Sequence, residues 1–265
     1  MSPCDRLLVF TDLDGTLIDH RTYGFDAARP ALGRLHREGH ALVMASSKTA
    51  AEVVPLRAAA GFAHCAAIVE NGAGILPPAG DAAVSGTEDA HDRLRAALDE
   101  LPPALRRRFT GFSDWSVDEV SVNSGLDRAA ASLARRRQFS EPGLWTGGRE
   151  DYQIFALLLA EKGIFAQQGG RFLTLSFGAT KGDRMAEITR QWRRTGEPIT
   201  TVALGDAPND ITMLQQADIG VIIANPDQPG IDRLEGEDSG RVRRSLHPGP
   251  LGWNAEMLRI LDELR

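Results

Sequence analysis

An α/β protein on a doubly wound parallel sheet is the fold class this sequence predicts, and three features predict it. Short apolar runs recur at spacings that suit strand, helix, strand units, at 7–10, 41–45 and 66–69, then again at 199–204 and 219–223. Three of the runs end in carboxylates or hydroxyls, at the strand ends where an open parallel sheet binds its ligands. From about Val84 to Gly178 the rhythm breaks and an inserted α+β unit is expected. Residues 1–83 and 179–265 then form a Rossmann-like core, and 84–178 the insert.

The elements follow in order. Leu7 to Phe10 run straight into Thr11-Asp12-Leu13-Asp14-Gly15-Thr16, so Asp12 and Asp14 are expected at a strand end, with Gly15 turning the chain so that both acids face one point. The plain alternative is an ordinary Asp-Gly turn. Asp26 can cap a helix that has Pro30 in its first turn, buries Leu32 and Leu35, and ends at Gly39. A second buried strand, Ala41 to Ala45, leads into Ser46-Ser47-Lys48-Thr49, whose hydroxyls and basic group could bind a phosphoryl oxygen or merely cap the next helix. Ala66 to Glu70 reads as a third strand, and Asn71-Gly72 as a turn in which Asn71 is structural.

In the insert, helices are expected near 89–101 and 127–137, and Phe172 to Phe177 alternates like an antiparallel strand. Arg106 to Arg108 reads as a solvated face. Arg171 differs, because Gly169 and Gly170 before it allow close backbone approach to an anion that a guanidinium can grip. Lys181-Gly182 opens a helix through Met185, Ile188 and Trp192. Ile199 to Leu204 is a strand ending in Gly205-Asp206-Ala207-Pro208-Asn209-Asp210. Ile219 to Ile223 is expected as the last core strand, and Asn254 to Leu264 as a terminal helix.

Composition narrows the partners. A net charge of −6 over 265 residues argues against nucleic acid or an anionic membrane surface. No run approaches the roughly 20 apolar residues of a membrane span, and no signal-peptide pattern precedes the first strand. A cytoplasmic protein is expected, with oligomeric state not legible. Cys4 and Cys65 have no metal-type spacing and suit a reducing compartment. Only three of the 30 basic residues are lysines, Lys48, Lys162 and Lys181, and two of them fall in the polar strand-end motifs.

Taken as chemistry, Asp12, Asp14, Ser46, Lys181, Asp206 and Asp210 make a complete set for phosphoryl transfer. The carboxylates offer hard oxygen ligands for Mg2+. Asp12 could attack phosphorus to give an aspartyl-phosphate, Asp14 could protonate the leaving alkoxide and later deprotonate water, and Ser46 and Lys181 could hold the equatorial oxygens.

Asp12-Leu13-Asp14-Gly15-Thr16, Ser46, Lys181-Gly182 and Gly205-Asp206-x-x-Asn209-Asp210, in that order, resemble the four signature motifs of the haloacid dehalogenase superfamily, and the placement of the insert is similar to its C2-type cap. The resemblance implies Asp12 as nucleophile and Asp14 as acid/base. It also implies Mg2+ held by Asp12, the backbone carbonyl of Asp14 and Asp206, with Asp210 in support, directly or through water.

Ser46-Ser47-Lys48-Thr49, Glu70-Asn71-Gly72-Ala73, Arg137-Gln138-Phe139-Ser140-Glu141-Pro142, Gly169-Gly170-Arg171-Phe172 and Gly249-Pro250-Leu251-Gly252-Trp253-Asn254 together resemble the mannosyl-3-phosphoglycerate phosphatase family. The implied substrate is a small phosphorylated glycoside, and the product mannosylglycerate, a compatible solute. Ser140, Glu141 and Arg171 would meet the glyceryl carboxylate or the sugar. The substrate-binding set to be located is therefore Ser47, Lys48, Ser140, Glu141, Gly170, Arg171 and Asn209. Pro142 could instead stop a helix. Alternatives of the same chemistry are phosphatases of glucosyl-3-phosphoglycerate, sucrose-6-phosphate or trehalose-6-phosphate; further off lie a phosphomutase or phosphotransferase and a non-catalytic binding protein.

Other residues carry plainer expectations. His36 and His40 have a helical metal spacing that Gly39 should interrupt. The four tryptophans are expected to pack, Trp145 being the best candidate for a sugar platform. Ser239 to Leu246, polar and arginine-containing, has no assigned role.

Overall fold

The computed structural model describes residues 6–19, 22–81, 89–169 and 171–264; Cys4, Gly170 and the expected boundary at 83/84 lie outside the described residues. Four consecutive apolar side chains point to both faces of a strand, so both faces must be covered. β1 (Arg6–Thr11) accordingly lies inside the main sheet with Leu7, Leu8, Val9 and Phe10 all at 0% exposure. α1 (Arg29–Arg37), β2 (Ala41–Ala45), α2 (Ala50–Ala59) and β3 (Ala67–Val69) follow at the expected places. The chain then turns at Asn71 (φ 60°) into β4 (Gly74–Leu76), antiparallel to β3.

Next comes the insert: α3 (Ala90–Asp99), α4 (Pro103–Arg106), β5 (Phe109–Gly111), α5 (Val117–Ser124), α6 (Arg128–Ala134), β6 (Ser140–Trp145), α7 (Arg149–Ala160), β7 (Phe165–Gly169) and β8 (Phe172–Ser176). Its strands form an antiparallel sheet in the order β5-β6-β8-β7. Leu94, Leu98, Phe109, Phe155, Leu173 and Leu175 pack together on one face, and Phe112, Trp115, Val120 and Ala131 form a second cluster under α5 and α6.

The chain returns to the main sheet with α8 (Lys181–Arg193), β9 (Ile199–Gly205), α9 (Ile211–Gln216), β10 (Ile219–Ala224), β11 (Val242–Pro248) and α10 (Gly249–Glu263). The strand order is β11-β10-β9-β1-β2-β3-β4, with every neighbouring pair parallel except β3 with β4. Winding outward from β1 through β2 and β3, then from β9 in the opposite direction, puts the topological switch point between β1 and β9. Ligands bind at the carboxyl side of such a point. No helix among the described residues is long and apolar enough to cross a membrane.

Several sequence expectations are corrected. Asp26 does not cap α1: the chain enters through a 3-10 turn over Asp26–Ala28, and the Asp26 carboxylate instead accepts from Arg29 Nε at 2.6 Å. Pro142 stops no helix, because Phe139-Ser140-Glu141-Pro142 enters strand β6. Ile219 to Ile223 is not the last strand: most of Ser239 to Leu246 becomes β11, an edge strand that pairs with β10 on one side only and can carry Arg243 and Arg244. The terminal helix begins at Gly249, five residues early. Arg106 is more than a solvated charge, since it binds Asp99, Asp114 and the Phe109 carbonyl. The tryptophans pack as expected, with the Trp145 ring tilted 38° against Phe155 at 4.6 Å between centroids.

Candidate active site

Asp12 is the first residue past β1, and its N–H still donates to the Leu204 carbonyl of β9 at 2.9 Å, so the ladder itself fixes it at the switch point. Gly15, at φ 82°, makes the turn that Asp14 and Thr16 require. Asp206 follows β9 directly. Asp210 comes back toward the strand through the 3-10 turn Pro208–Asp210, and only glycine tolerates this: a Cβ on Gly205 would lie 2.5 Å from the Asp210 side chain.

Three carboxylates meet here. Oxygens of Asp12, Asp206 and Asp210 lie within 4.8 Å of one another, all three residues buried. Lys181, in the first turn of α8 and 1% exposed, reaches between two of them, 2.5 Å from Asp12 Oδ1 and 2.7 Å from Asp210 Oδ1. The other Asp210 oxygen accepts from the N–H groups of Asp206 and Ala207, both at 3.1 Å. Asp206 is held at each oxygen, by Thr16 Oγ1 and by Asn225 Nδ2, both at 2.6 Å. Next to Asp12, Trp253 Nε1 donates to Thr11 Oγ1 at 3.0 Å, which in turn donates to the Asp12 carbonyl.

Burial raises the Asp12 carboxyl well above its ordinary range; Lys181 opposes the rise, and Asp210 and Asp206 add to it. Asp206 is raised too, by burial first, against the pull of its Thr16 and Asn225 hydrogen bonds. For Lys181 burial alone works downward, yet Asp12 and Asp210 overcome it and hold the ammonium above its usual value. One contacting ammonium for three crowded carboxylates leaves an excess of two negative charges, and a divalent cation among oxygen donors fits that deficit.

The remaining expected site residues fall in two groups. Ser46 is buried at the end of β2, and its Oγ accepts from Lys48 N–H at 3.3 Å. Lys48 pairs with Asp14 at 3.0 Å; burial works against its charge, and the neighbouring Asp14 and Glu52 more than restore it. Thr49, not Ser46, caps α2, in a reciprocal box with Glu52. Asn209 Nδ2 donates to Asn71 Oδ1 at 3.0 Å, so Asn71 bridges two site loops as well as turning the chain.

The expected cap residues are engaged with the protein itself. Ser140 Oγ donates to Glu70 at 2.7 Å. Glu141, fully buried, accepts from Ser113 N–H at 2.8 Å and Oγ at 2.7 Å, and lies 2.7 Å from His91 Nε2. Arg171 donates to the Asn123 carbonyl, Ser47 is exposed, and Gly170 lies outside the described residues. His36 and His40 form no metal group among the described residues; His40 Nδ1 instead accepts from Leu7 N–H at 3.1 Å.

Sequence reasoning missed Asn225 and Glu70. Asn225 follows a buried strand, the same signal that marks Asp12 and Asp206. Glu70 also follows a buried strand, but that signal does not tell a carboxylate that seats the insert from one that serves the site.

A model of haloacid dehalogenase-like hydrolases matches residues 7–218. A glucosyl-3-phosphoglycerate/mannosyl-3-phosphoglycerate phosphatase from Methanococcoides burtonii is 31% identical over 273 residues, covering 97% of this chain and 97% of that protein. Among solved structures, a sucrose-phosphatase from Synechocystis sp. PCC6803 matches with TM-score 0.60 at 15% identity, over 98% of each chain. A phosphatase of the haloalkanoate enzyme superfamily from Bacteroides thetaiotaomicron matches with TM-score 0.63 at 18% identity, over 98% of this chain and 95% of that one. At these identities the two structures are alike in fold.

Proposed function

Since this chain belongs to the haloacid dehalogenase-like hydrolases, we propose that it is a Mg2+-dependent phosphatase that hydrolyses mannosyl-3-phosphoglycerate to mannosylglycerate and phosphate. The observation that carries the reading is Asp12 at the switch point, held at one oxygen by Lys181 and crowded by Asp206 and Asp210. The name of the Methanococcoides burtonii relative supports the substrate class, and because it pairs two epimers, glucosyl-3-phosphoglycerate is the second substrate to test.

Asp12 Oδ2, opposite the oxygen bound to Lys181, attacks phosphorus. The bond from phosphorus to the glyceryl oxygen breaks as Asp14 gives that oxygen its proton. Water, deprotonated by Asp14, then attacks the aspartyl-phosphate at phosphorus, restoring the Asp12 carboxylate and releasing phosphate. Ser46 and Lys181 hold the equatorial oxygens through both displacements. Asp12, Asp206 and the main-chain carbonyl of Asp14 would hold the metal, with Asp210 in support behind Lys181. When bound, Mg2+ supplies positive charge that neutralises the phosphoryl oxygens and fixes their orientation. Residues 84–178 act as the cap over a core of 1–83 and 179–265, in a cytoplasmic enzyme.

Phosphate release tests the reading, with Mg2+ and mannosyl-3-phosphoglycerate, glucosyl-3-phosphoglycerate, sucrose-6-phosphate and trehalose-6-phosphate, beside Asp12→Asn and EDTA controls. The expected result is preference for the mannosyl ester, lost in both controls. Equal slow release from all four would keep the phosphatase and remove the substrate. No release from any would remove both.

A further inference from the structure

Residues 46–48 form the loop that carries Ser46 and Lys48, and all three of its main-chain carbonyls are bound. Asn71 N–H donates to Ser46 and Glu70 N–H to Lys48, each at 2.9 Å, both from the core. The middle carbonyl, that of Ser47, is taken from the insert by Arg137 Nη1 at 2.8 Å. Arg137 therefore sits where insert and core meet, beside the loop of the phosphoryl candidates. Its side chain is 9% exposed, with the guanidinium carbon 5.8 Å from the Phe112 ring centroid.

This guanidinium is only partly used. Its Nε–H is buried with no hydrogen-bond partner among the described residues, a costly state for a donor. Glu70, 4.0 Å from Nη1, does not meet that need, because its carboxylate already accepts from Gln138 N–H, Phe139 N–H and Ser140 Oγ at 2.9, 3.1 and 2.7 Å. A fork fixed by one arm, with its Nε edge unmatched, suits a planar anion with two oxygens. Across the same loop the Lys48 ammonium lies 3.0 Å from Asp14. A leaving group protonated by Asp14 thus emerges beside one cation, with a second guarding the neighbouring loop residue. Ser140 and Glu141 are already committed to protein partners, and Arg171 gives one arm to the Asn123 carbonyl from an exposed position.

We propose that Arg137 is a specificity-determining residue that binds a carboxylate on the leaving group of the phosphate ester, with Lys48 as the second positive group. The inference rests on the phosphatase reading above and deepens it, since it moves recognition of the glyceryl carboxylate to a residue outside the expected set. A residue that only seats the insert against the core would affect every substrate alike; a carboxylate receptor affects one class.

The test measures kcat and KM for wild type, Arg137→Gln and Arg137→Lys with two substrates, mannosyl-3-phosphoglycerate and p-nitrophenyl phosphate, whose leaving group has no carboxylate. In Arg137→Gln the ratio of kcat/KM between the two should fall roughly 10- to 100-fold, chiefly through KM of the carboxylated ester. Arg137→Lys, which keeps the charge but loses the fork, should fall less. Equal losses on both substrates, or an unchanged ratio, overturn the proposal. A wild type without preference for the carboxylated ester removes the substrate reading together with this inference; a preference that survives in Arg137→Gln removes this inference alone. Thermal melting accompanies each variant, and if Arg137→Gln fails to fold, the ratio in Arg137→Lys decides, an unchanged ratio again overturning the proposal.

Discussion

At the carboxyl ends of β1 and β9, Asp12, Asp206 and Asp210 crowd within 4.8 Å of one another around one ammonium, that of Lys181, which touches Asp12 and Asp210, whereas Glu70 at the seam and Glu141 inside the insert are each met by three donors from the protein. All five carboxylates are buried, so all five lost their water. The glutamates recover it from N–H and hydroxyl groups, and what they gain is position: Glu70 fixes residues 138–140, and Glu141 ties β6 to α3 through His91. Among the aspartates Asp210 is met by three donors and Asp206 by two, yet the three charges crowd one another, and burial together with that crowding raises Asp12 and Asp206. A saturated carboxylate is architecture, while an undercompensated cluster is a place prepared for a cation and a reaction.

The largest effect expected from this contrast is on chemistry. Asp12→Asn should lower phosphate release by roughly 10⁴-fold or more, while the melting temperature without metal stays level or rises, because an amide oxygen still accepts from Lys181 and one crowded charge is gone. A lower melting temperature would mean that the cluster is balanced after all. Next is Lys181→Met, which leaves Asp12 and Asp210 without their cation. Breaking a buried pair from one side costs about 3–5 kcal/mol, and so about 10 °C in Tm for a chain of this size. Added Mg2+ should recover more Tm in this variant than in wild type; no recovery would show that the ammonium's role is not one of charge. Glu70→Gln belongs to the other class. Turning an amide N–H toward the donors of residues 138–140 should cost roughly 1–3 kcal/mol and loosen the seam, with the Mg2+ concentration for half-maximal rate unchanged. A shift in that concentration would erase the distinction between the two kinds of carboxylate.

How far the sequence reveals each kind follows from where the partners lie. Asp12, Asp14 and Asp206 announce themselves because a buried strand must end and its polar follow-on is adjacent in the chain. Lys181 is legible because it opens a helix. Asn225 holds Asp206 across 19 residues, yet Asn-Pro after a strand looks like any turn. Glu70 sits at φ 51° and binds residues 68 to 70 positions away, so nothing local distinguishes it from a strand-end acid. Ser140 and Glu141 are visible as a motif, but their partners in the 70–71 turn, in α3 and after β5 are not. β11 hides because an edge strand can hold arginines where a central strand cannot.

The pH dependence is the most direct reading of the contrast, since it begins from the unsubstituted protein free of metal. A carboxyl raised in the folded state keeps its proton where the unfolded chain has released it, so stability falls as pH climbs from about 4 through the raised value. Asp12 and Asp206 act in that direction. Glu237, drawn down to about 2 by Arg244, acts in the opposite one, but its contribution is complete once the unfolded glutamate has ionised, by about pH 5. His40, lowered by burial, also opposes, adding stability as pH rises toward its ordinary 6.5. Subtracting the Asp12→Asn curve from that of wild type removes both, and between pH 5 and 8 the difference should slope downward. A divalent cation competes with those same protons, so the Tm gained from Mg2+ should grow with pH across the window. At free metal near 100 times its Kd the gain corresponds to about 2.7 kcal/mol, or roughly 5–10 °C. A gain that is flat from pH 5 to 8, in a protein whose difference curve is also flat, would place the three aspartates beside Glu70 and Glu141 as carboxylates that the fold alone satisfies.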